Sequence, residues 1–335
     1  MTELQSPKWK AQQRIVQFAV FWVGVFIVGA LLVRPTLGLY LLWDILIPVA
    51  PLLLVVAPGI WRNICPLGTF SVMPHWLKLS KKQPLSRKGQ SWLFAGAVLL
   101  LLIIVPVRHV ILDTNGVVIG LTLIAVALLA FTLGMVLDWK SAWCSGLCPV
   151  YPVEMLYGAR PLVTPHNLQC KVCTGCVSPC RDSTPSISSV DVAIEPLGKF
   201  ASTVLTGGFP GFILGWYLVD ISRTDPILTI IGMSYAWPFA GLIASLVVYS
   251  VARKLAPPAG INQLSATTAV CIYYWFKMPV VFGLSGDSSH WLLGLAGSTP
   301  SWTIWALRFS TMGLLAWLLL GRAPKRAWNG RPQSA

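Results

Sequence analysis

At 335 residues, with 55% hydrophobic and only 11% charged residues, the chain falls well short of the roughly one-quarter charged content of a soluble domain. That composition excludes a soluble globular protein and predicts an all-α membrane protein, because apolar runs of about 20 residues cross a ~30 Å bilayer as helices. The net charge of +14 is not a nucleic-acid footprint, since no basic stretch is interleaved with exposed aromatics.

In chain order, eight apolar runs are predicted to span the bilayer as a polytopic helix bundle, at about 15–33, 39–60, 91–112, 117–137, 201–219, 227–251, 265–284 and 300–320. No small-residue cleavage site follows the first run, which is long for a signal peptide, so it is expected to remain as an anchor. Spans two and four are each followed by a Cys-Pro element, GIWRNICPLGTF and then SAWCSGLCPVYP. Aligned on these pairs, Cys65 falls on Cys148, Pro66 on Pro149 and Trp61 on Cys144. Two helical hairpins thus deliver matched elements to one surface. Proline is favoured in the first turn of a helix, which predicts short interfacial helices with Cys65 and Cys148 at their N-termini. There the dipole and the free N–H groups favour a thiolate.

Residues 138–200 form the longest stretch outside the predicted spans. They divide the chain into a membrane half at 1–137, a Cys-rich segment at 138–200 and a second membrane half at 201–335. Within the segment, CKVCTGCVSPCRD sets Cys170, Cys173, Cys176 and Cys180 at C-x-x-C-x-x-C-x-x-x-C. Ferredoxins wrap iron–sulfur clusters with that spacing. Zinc is the competing metal, but zinc sites usually pair two C-x-x-C units across a longer loop.

Of the 25 basic residues, 20 fall on the same side of the eight-span arrangement as seven of the eight cysteines. The positive-inside rule makes that side cytoplasmic, with both termini there, in a bacterial inner membrane. Anionic membrane lipid is an expected partner. A reducing compartment disfavours disulfides and favours metal ligation. Cys271 lies inside span seven, where a small apolar core residue is expected.

Cys-ligated cubanes take four thiolates each, and this side offers seven: Cys65, Cys144, Cys148 and the four of the run. Ferredoxin logic gives Cys170, Cys173 and Cys176 to one cluster, closed by Cys65 or Cys148. Cys180 and the remaining two then serve a second cluster, completed by Asp182, by His166 or by an open iron. A single 4Fe-4S cluster held by the run alone is the other arrangement. Arg181, which stands where ferredoxins carry a proline, and Lys171 would offset the negative charge of a cluster.

Membrane spans followed by C-x-x-x-C-P and then ferredoxin cysteines resemble the polyferredoxin-type membrane proteins of the NapH, NosR and CcoG kind. The resemblance covers about residues 15–185 and rests on WCSGLCPVYPVEMLYG with CKVCTGCVSPC. It implies electron transfer, often from quinol, through 4Fe-4S clusters at the inner membrane face. The chain departs from that pattern where Trp61 replaces the leading cysteine of the first motif, where Arg181 replaces a proline, and in having one ferredoxin run. The last four spans match nothing in that family.

Asp44, His109, Lys277 and Arg308 fall within predicted spans or at their ends, toward the outer side. Ionisable residues in spans are costly and mark functional sites by default, so these four are candidates for a quinone or partner site. Snorkelling is the competing expectation for Lys277 and Arg108, and Asp44 is the acid expected opposite Arg308. No P-loop, dinucleotide fingerprint, haem-attachment motif or nucleophile–base constellation is present. The sequence therefore predicts an electron-transfer subunit working between a quinol or cytoplasmic donor and a partner redox protein. A metal-reducing or oxidase-assembly factor is one alternative. A transporter with a structural or sensory cluster is another, because GGFPG and the prolines Pro48, Pro51 and Pro58 are expected to break helices.

Overall fold

The computed structural model describes residues 7–83, 85–137, 140–164, 195–222, 224–284 and 300–323. Eleven helices carry the described fold: α1 (Pro7–Val33), α2 (Pro35–Val56), α3 (Pro58–Ile64), α4 (Pro66–Trp76), α5 (Arg87–Leu112), α6 (Gly116–Val136), α7 (Val150–Tyr157), α8 (Pro196–Tyr217), α9 (Ile227–Leu255), α10 (Pro258–Val281) and α11 (Trp302–Leu320). A kinked turn, Lys140–Leu147, precedes α7. Proline opens α2, α3, α4, α8 and α10, where its missing N–H has no helical partner to lose. Side-chain caps start two others: Ser86 Oγ accepts from the Gly89 N–H at 3.1 Å and Asn115 Oδ1 from the Val118 N–H at 3.1 Å.

Among the described residues, six helices are long and apolar enough to cross a membrane: α1, α2, α5, α6, α9 and α11. The other two stretches expected to span form helices, α8 and α10, 22 and 24 residues long, but they are too polar to count among those six. Their position explains this. α8 packs against α5, α7, α9 and α10, at the centre of the bundle. A helix enclosed by protein needs no apolar exterior, and Ser202, Thr206, Asn262, Ser265 and Thr267 are all buried there. The main core runs through this centre, from Leu54 and Val98 through Phe209 and Phe212 to Val270, Tyr274 and Leu319. A smaller core joins α1, α2, α5 and α6 through Leu31, Leu42, Leu112 and Ile119.

The second span, Pro35–Val56, is as long as expected but lies four residues nearer the N-terminus. It ends at Val56, and Ala57 takes an extended conformation (φ −152°) before Pro58 opens α3, because a residue preceding proline is pushed out of the helical region. GGFPG does not break α8, and Pro48 and Pro51 lie inside α2. Pro48 instead follows a π-helical stretch, Leu41–Leu46, that holds Asp44; a proline ring crowds the carbonyl four residues earlier, here that of Asp44. Pro210 removes the N–H that would serve the Thr206 carbonyl, and Ser265 Oγ of α10 donates to that oxygen instead. Pro279 does the same to Trp275, whose carbonyl accepts from Arg308 Nε at 3.1 Å.

The glycines of α8 have a packing reason. Any Cβ on Gly211 would overlap the carbonyl of Gly241 in α9, and one on Gly215 would overlap that of Trp237. Ser245 Oγ completes the contact by donating to the Gly207 and Gly208 carbonyls at 2.9 Å and accepting from the Gly211 N–H at 3.2 Å. Small residues that let two backbones touch hold helices together where lipid removes any hydrophobic drive between them. Gly211→Ala is therefore expected to destabilise the protein by at least about 1–3 kcal/mol through overpacking. Gly232→Ala, at a site with nothing within 4 Å, should be neutral. Thermal unfolding of both variants in one detergent checks the difference.

Candidate functional site

The two Cys-Pro elements meet at one end of the bundle. Cys65 ends α3 in an extended conformation (φ −55°, ψ 125°), and Pro66 opens α4. Its sulfur receives the backbone N–H groups of Gly68 and Leu67. Cys148 follows the kinked turn, held by its own N–H on the Trp143 carbonyl at 3.1 Å. Its sulfur receives the N–H groups of Val150 and Tyr151 at the start of α7. Both sulfurs thus stand at helix N-termini, as the prolines predict.

Cys144 lies close to both. A Cβ on Gly68 would sit 3.4 Å from Cys144 Sγ and 3.6 Å from Cys65 Cβ, and the Cys65 and Cys144 thiols both act electrostatically on Cys148. Three half-buried thiols from elements some 80 residues apart therefore share one place. Trp61, which the repeat aligns with Cys144, packs against the main core. Burial pushes the thiols of Cys65 and Cys148 up, and their backbone donors only partly counter it. The N–H groups act in the expected sense, but burial outweighs them. The thiols of Cys65 and Cys148 thus keep their protons at neutral pH. Among the described residues no three His, Cys, Asp or Glu side chains converge tightly enough to hold a single metal ion. Cys170, Cys173, Cys176 and Cys180, with His166, Lys171, Arg181 and Asp182, lie outside the described residues.

A buried ion pair that the sequence did not flag braces this end. Arg62 Nη1 is 3.2 Å from Glu154 Oε1 in α7, and both side chains are 3% exposed. Arg62 Nη2 donates to Ser145 Oγ at 2.6 Å. The one available signal was position: Arg62 precedes Cys65 by one helical turn.

The opposite end holds the in-span charges. Lys277 Nζ meets Asp44 Oδ1 at 2.8 Å, each side chain 14% exposed. Lys277 therefore does not snorkel free, and it, not Arg308, is the partner of Asp44. Arg308 lies against the rings of Trp275 and Trp305, 4.9 and 5.3 Å from their centroids, besides serving the Trp275 carbonyl. His109 stacks on Trp216 at 4.6 Å, and its Nε2 must be the protonated nitrogen, because it donates to the Trp216 carbonyl at 3.1 Å. Arg108 is sandwiched between the Trp43 and Trp216 rings and donates from Nε to Asp113 at 2.9 Å. The structure thus joins Asp44 to Lys277 and gives His109 and Arg308 separate aromatic surroundings.

Comparison with known proteins finds one informative similarity. The chain is 29% identical over 132 residues to the methylamine utilization ferredoxin-type protein MauN of Paracoccus denitrificans; the match spans 36% of this chain and 46% of that relative, less than half its length. No protein-family profile matches the chain. No solved structure matches it either.

The ion pair at the far end ranks the two cationic residues there. Lys277→Leu strips Asp44 of its cation and is expected to cost about 3–5 kcal/mol. Arg308→Leu orphans one carbonyl and should cost about 1–3 kcal/mol. Thermal unfolding of the two variants, with the Asp44→Leu/Lys277→Leu pair recovering most of the first loss, checks the assignment.

Proposed function

We propose that this protein is a membrane-bound electron-transfer subunit that passes electrons through one or two 4Fe-4S clusters between a quinol or cytoplasmic donor and a partner redox protein. The observation that carries the reading is the convergence of Cys65, Cys144 and Cys148 from two separate Cys-Pro elements. The spacing of Cys170, Cys173, Cys176 and Cys180 supports it, as does the similarity to a protein named as ferredoxin-type. Thiol sulfur is the donor chemistry that iron–sulfur clusters use. A cluster's irons present separate coordination positions, which thiols delivered by separate elements can reach.

On this reading Cys65, Cys144 and Cys148 serve one cluster together, with Cys180 as the remote fourth ligand. Cys170, Cys173 and Cys176 hold the second. When bound, such a cluster supplies a one-electron carrier. The chain's own residues keep the thiols in place, direct four N–H groups at two of them, and fix the site to the membrane surface. The excess of Lys and Arg on the same side of the eight-span arrangement supports reading that surface as cytoplasmic. Asp44, His109, Lys277 and Arg308, at the other end, are where a quinone headgroup or an outer partner would meet the protein.

Anaerobically purified protein is expected to contain iron and acid-labile sulfide. Cys65→Ser, Cys144→Ser and Cys148→Ser should each remove or shift the same EPR signal. Stoichiometric zinc without sulfide would overturn the reading. Wild-type spectra and iron content in all three variants would confine the metal to the loop.

A further inference from the structure

The Arg62–Glu154 pair is hard to explain as a stabilising device. Taking both charges out of water costs several kcal/mol per ion, and well-packed apolar residues of similar volume often serve a fold as well or better. Its location suggests another role. The described partners of Arg62, Ser145, Tyr151 and Glu154, stand on segments that carry converging cysteines. Arg62 itself lies three residues before Cys65. Ser145, bonded at 2.6 Å, is the neighbour of Cys144. Tyr151, whose ring centroid is 5.9 Å from the guanidinium carbon, and Glu154, at 3.2 Å, are on the helix that Cys148 introduces. The Glu154 charge is felt at Cys65.

We propose that Arg62 and Glu154 form an opposed pair of charges that positions the three cysteines and sets the reduction potential of the cluster they hold. This rests on the cluster reading above. Reduction adds one electron, and so one negative charge, to an already anionic group of thiolates and sulfides. A nearby guanidinium favours that added charge and a nearby carboxylate opposes it. Both groups are 3% exposed, where water screens little and charge strongly affects such centres. The planar fork matters as well as the charge: Nη1 reaches α7 while Nη2 reaches the turn at Cys144. The single ammonium of a lysine cannot span both. Arg62 is thus a positioning residue that acts on the cluster through space and through the segments it ties.

The two halves of the pair make opposite predictions, which a merely structural brace does not. In redox titrations followed by EPR on the full-length protein, Glu154→Gln is expected to raise the midpoint potential of the cluster held by Cys65, Cys144 and Cys148, because a nearby negative charge is removed. Arg62→Gln is expected to lower it. Arg62→Lys should keep the potential closer to wild type but lose part of that cluster's EPR intensity. Iron-loaded variants with unshifted potentials, or with shifts of the same sign in Glu154→Gln and Arg62→Gln, would overturn the proposal. If Arg62→Gln fails to assemble, Glu154→Gln decides alone: an unmoved potential overturns it. Wild-type protein lacking iron and sulfide would remove the cluster reading and this inference with it. A loaded wild type beside an unshifted Glu154→Gln would remove this inference only.

Discussion

A backbone carbonyl in apolar surroundings needs a donor, and the prolines of this chain repeatedly take one away. The bundle is organised around replacing them. Ser265 of α10 serves the Thr206 carbonyl left by Pro210, and Arg308 of α11 serves the Trp275 carbonyl left by Pro279. Helix ends show the same pattern: His109 caps the Trp216 carbonyl and Trp43 donates to that of Leu112 at 3.0 Å. Each replacement comes from a different helix, so satisfying the backbone also fixes which helices are neighbours. The glycine contacts of α8 with α9 draw on the same economy of space, since only residues without a Cβ let the Ser245 hydroxyl reach two carbonyls at once.

Charge follows a matching rule. The described ion pairs Arg62–Glu154, Arg108–Asp113 and Lys277–Asp44 each join a cation to an acid at 3.2 Å or less. Where a cation is offered an aromatic face, as Arg108 is by Trp43 and Trp216 and Arg308 is by Trp275 and Trp305, the ring quadrupole takes part of that role. The two ends of the bundle use these pairs differently. At one end Lys277–Asp44 ties α10 to α2. At the other, Arg62–Glu154 ties together the segments that carry thiols.

That second end is what gives the fold its chemistry. Cys65, Cys144 and Cys148 are half-buried, the thiols of Cys65 and Cys148 are pushed up by burial, and those two face pairs of N–H groups. The similarity to a ferredoxin-type protein covers only part of the chain. α7 is held between α2 and α5 of the first membrane half and α8 and α10 of the second.

The sequence by itself determined the class and much of the outline. Its scarcity of charge and its long apolar runs were enough for a helical membrane protein, since length and hydropathy act locally along the chain. The Cys-Pro pairs likewise specified helix starts at Cys65 and Cys148, because proline fixes its own backbone and that of its neighbour. Periodicity said less about α8 and α10, whose polarity reflects enclosure by other helices. Partner choice was not legible either. Asp44 has Lys277 and not Arg308 as its partner, and Arg62 finds Glu154 at a separation of 92 residues, because such pairings depend on which helix faces pack together. Only the tertiary structure decided those, and with them the meeting of three distant cysteines: pattern along a chain sets which faces are apolar, whereas close packing and the satisfaction of buried polar groups set which faces touch.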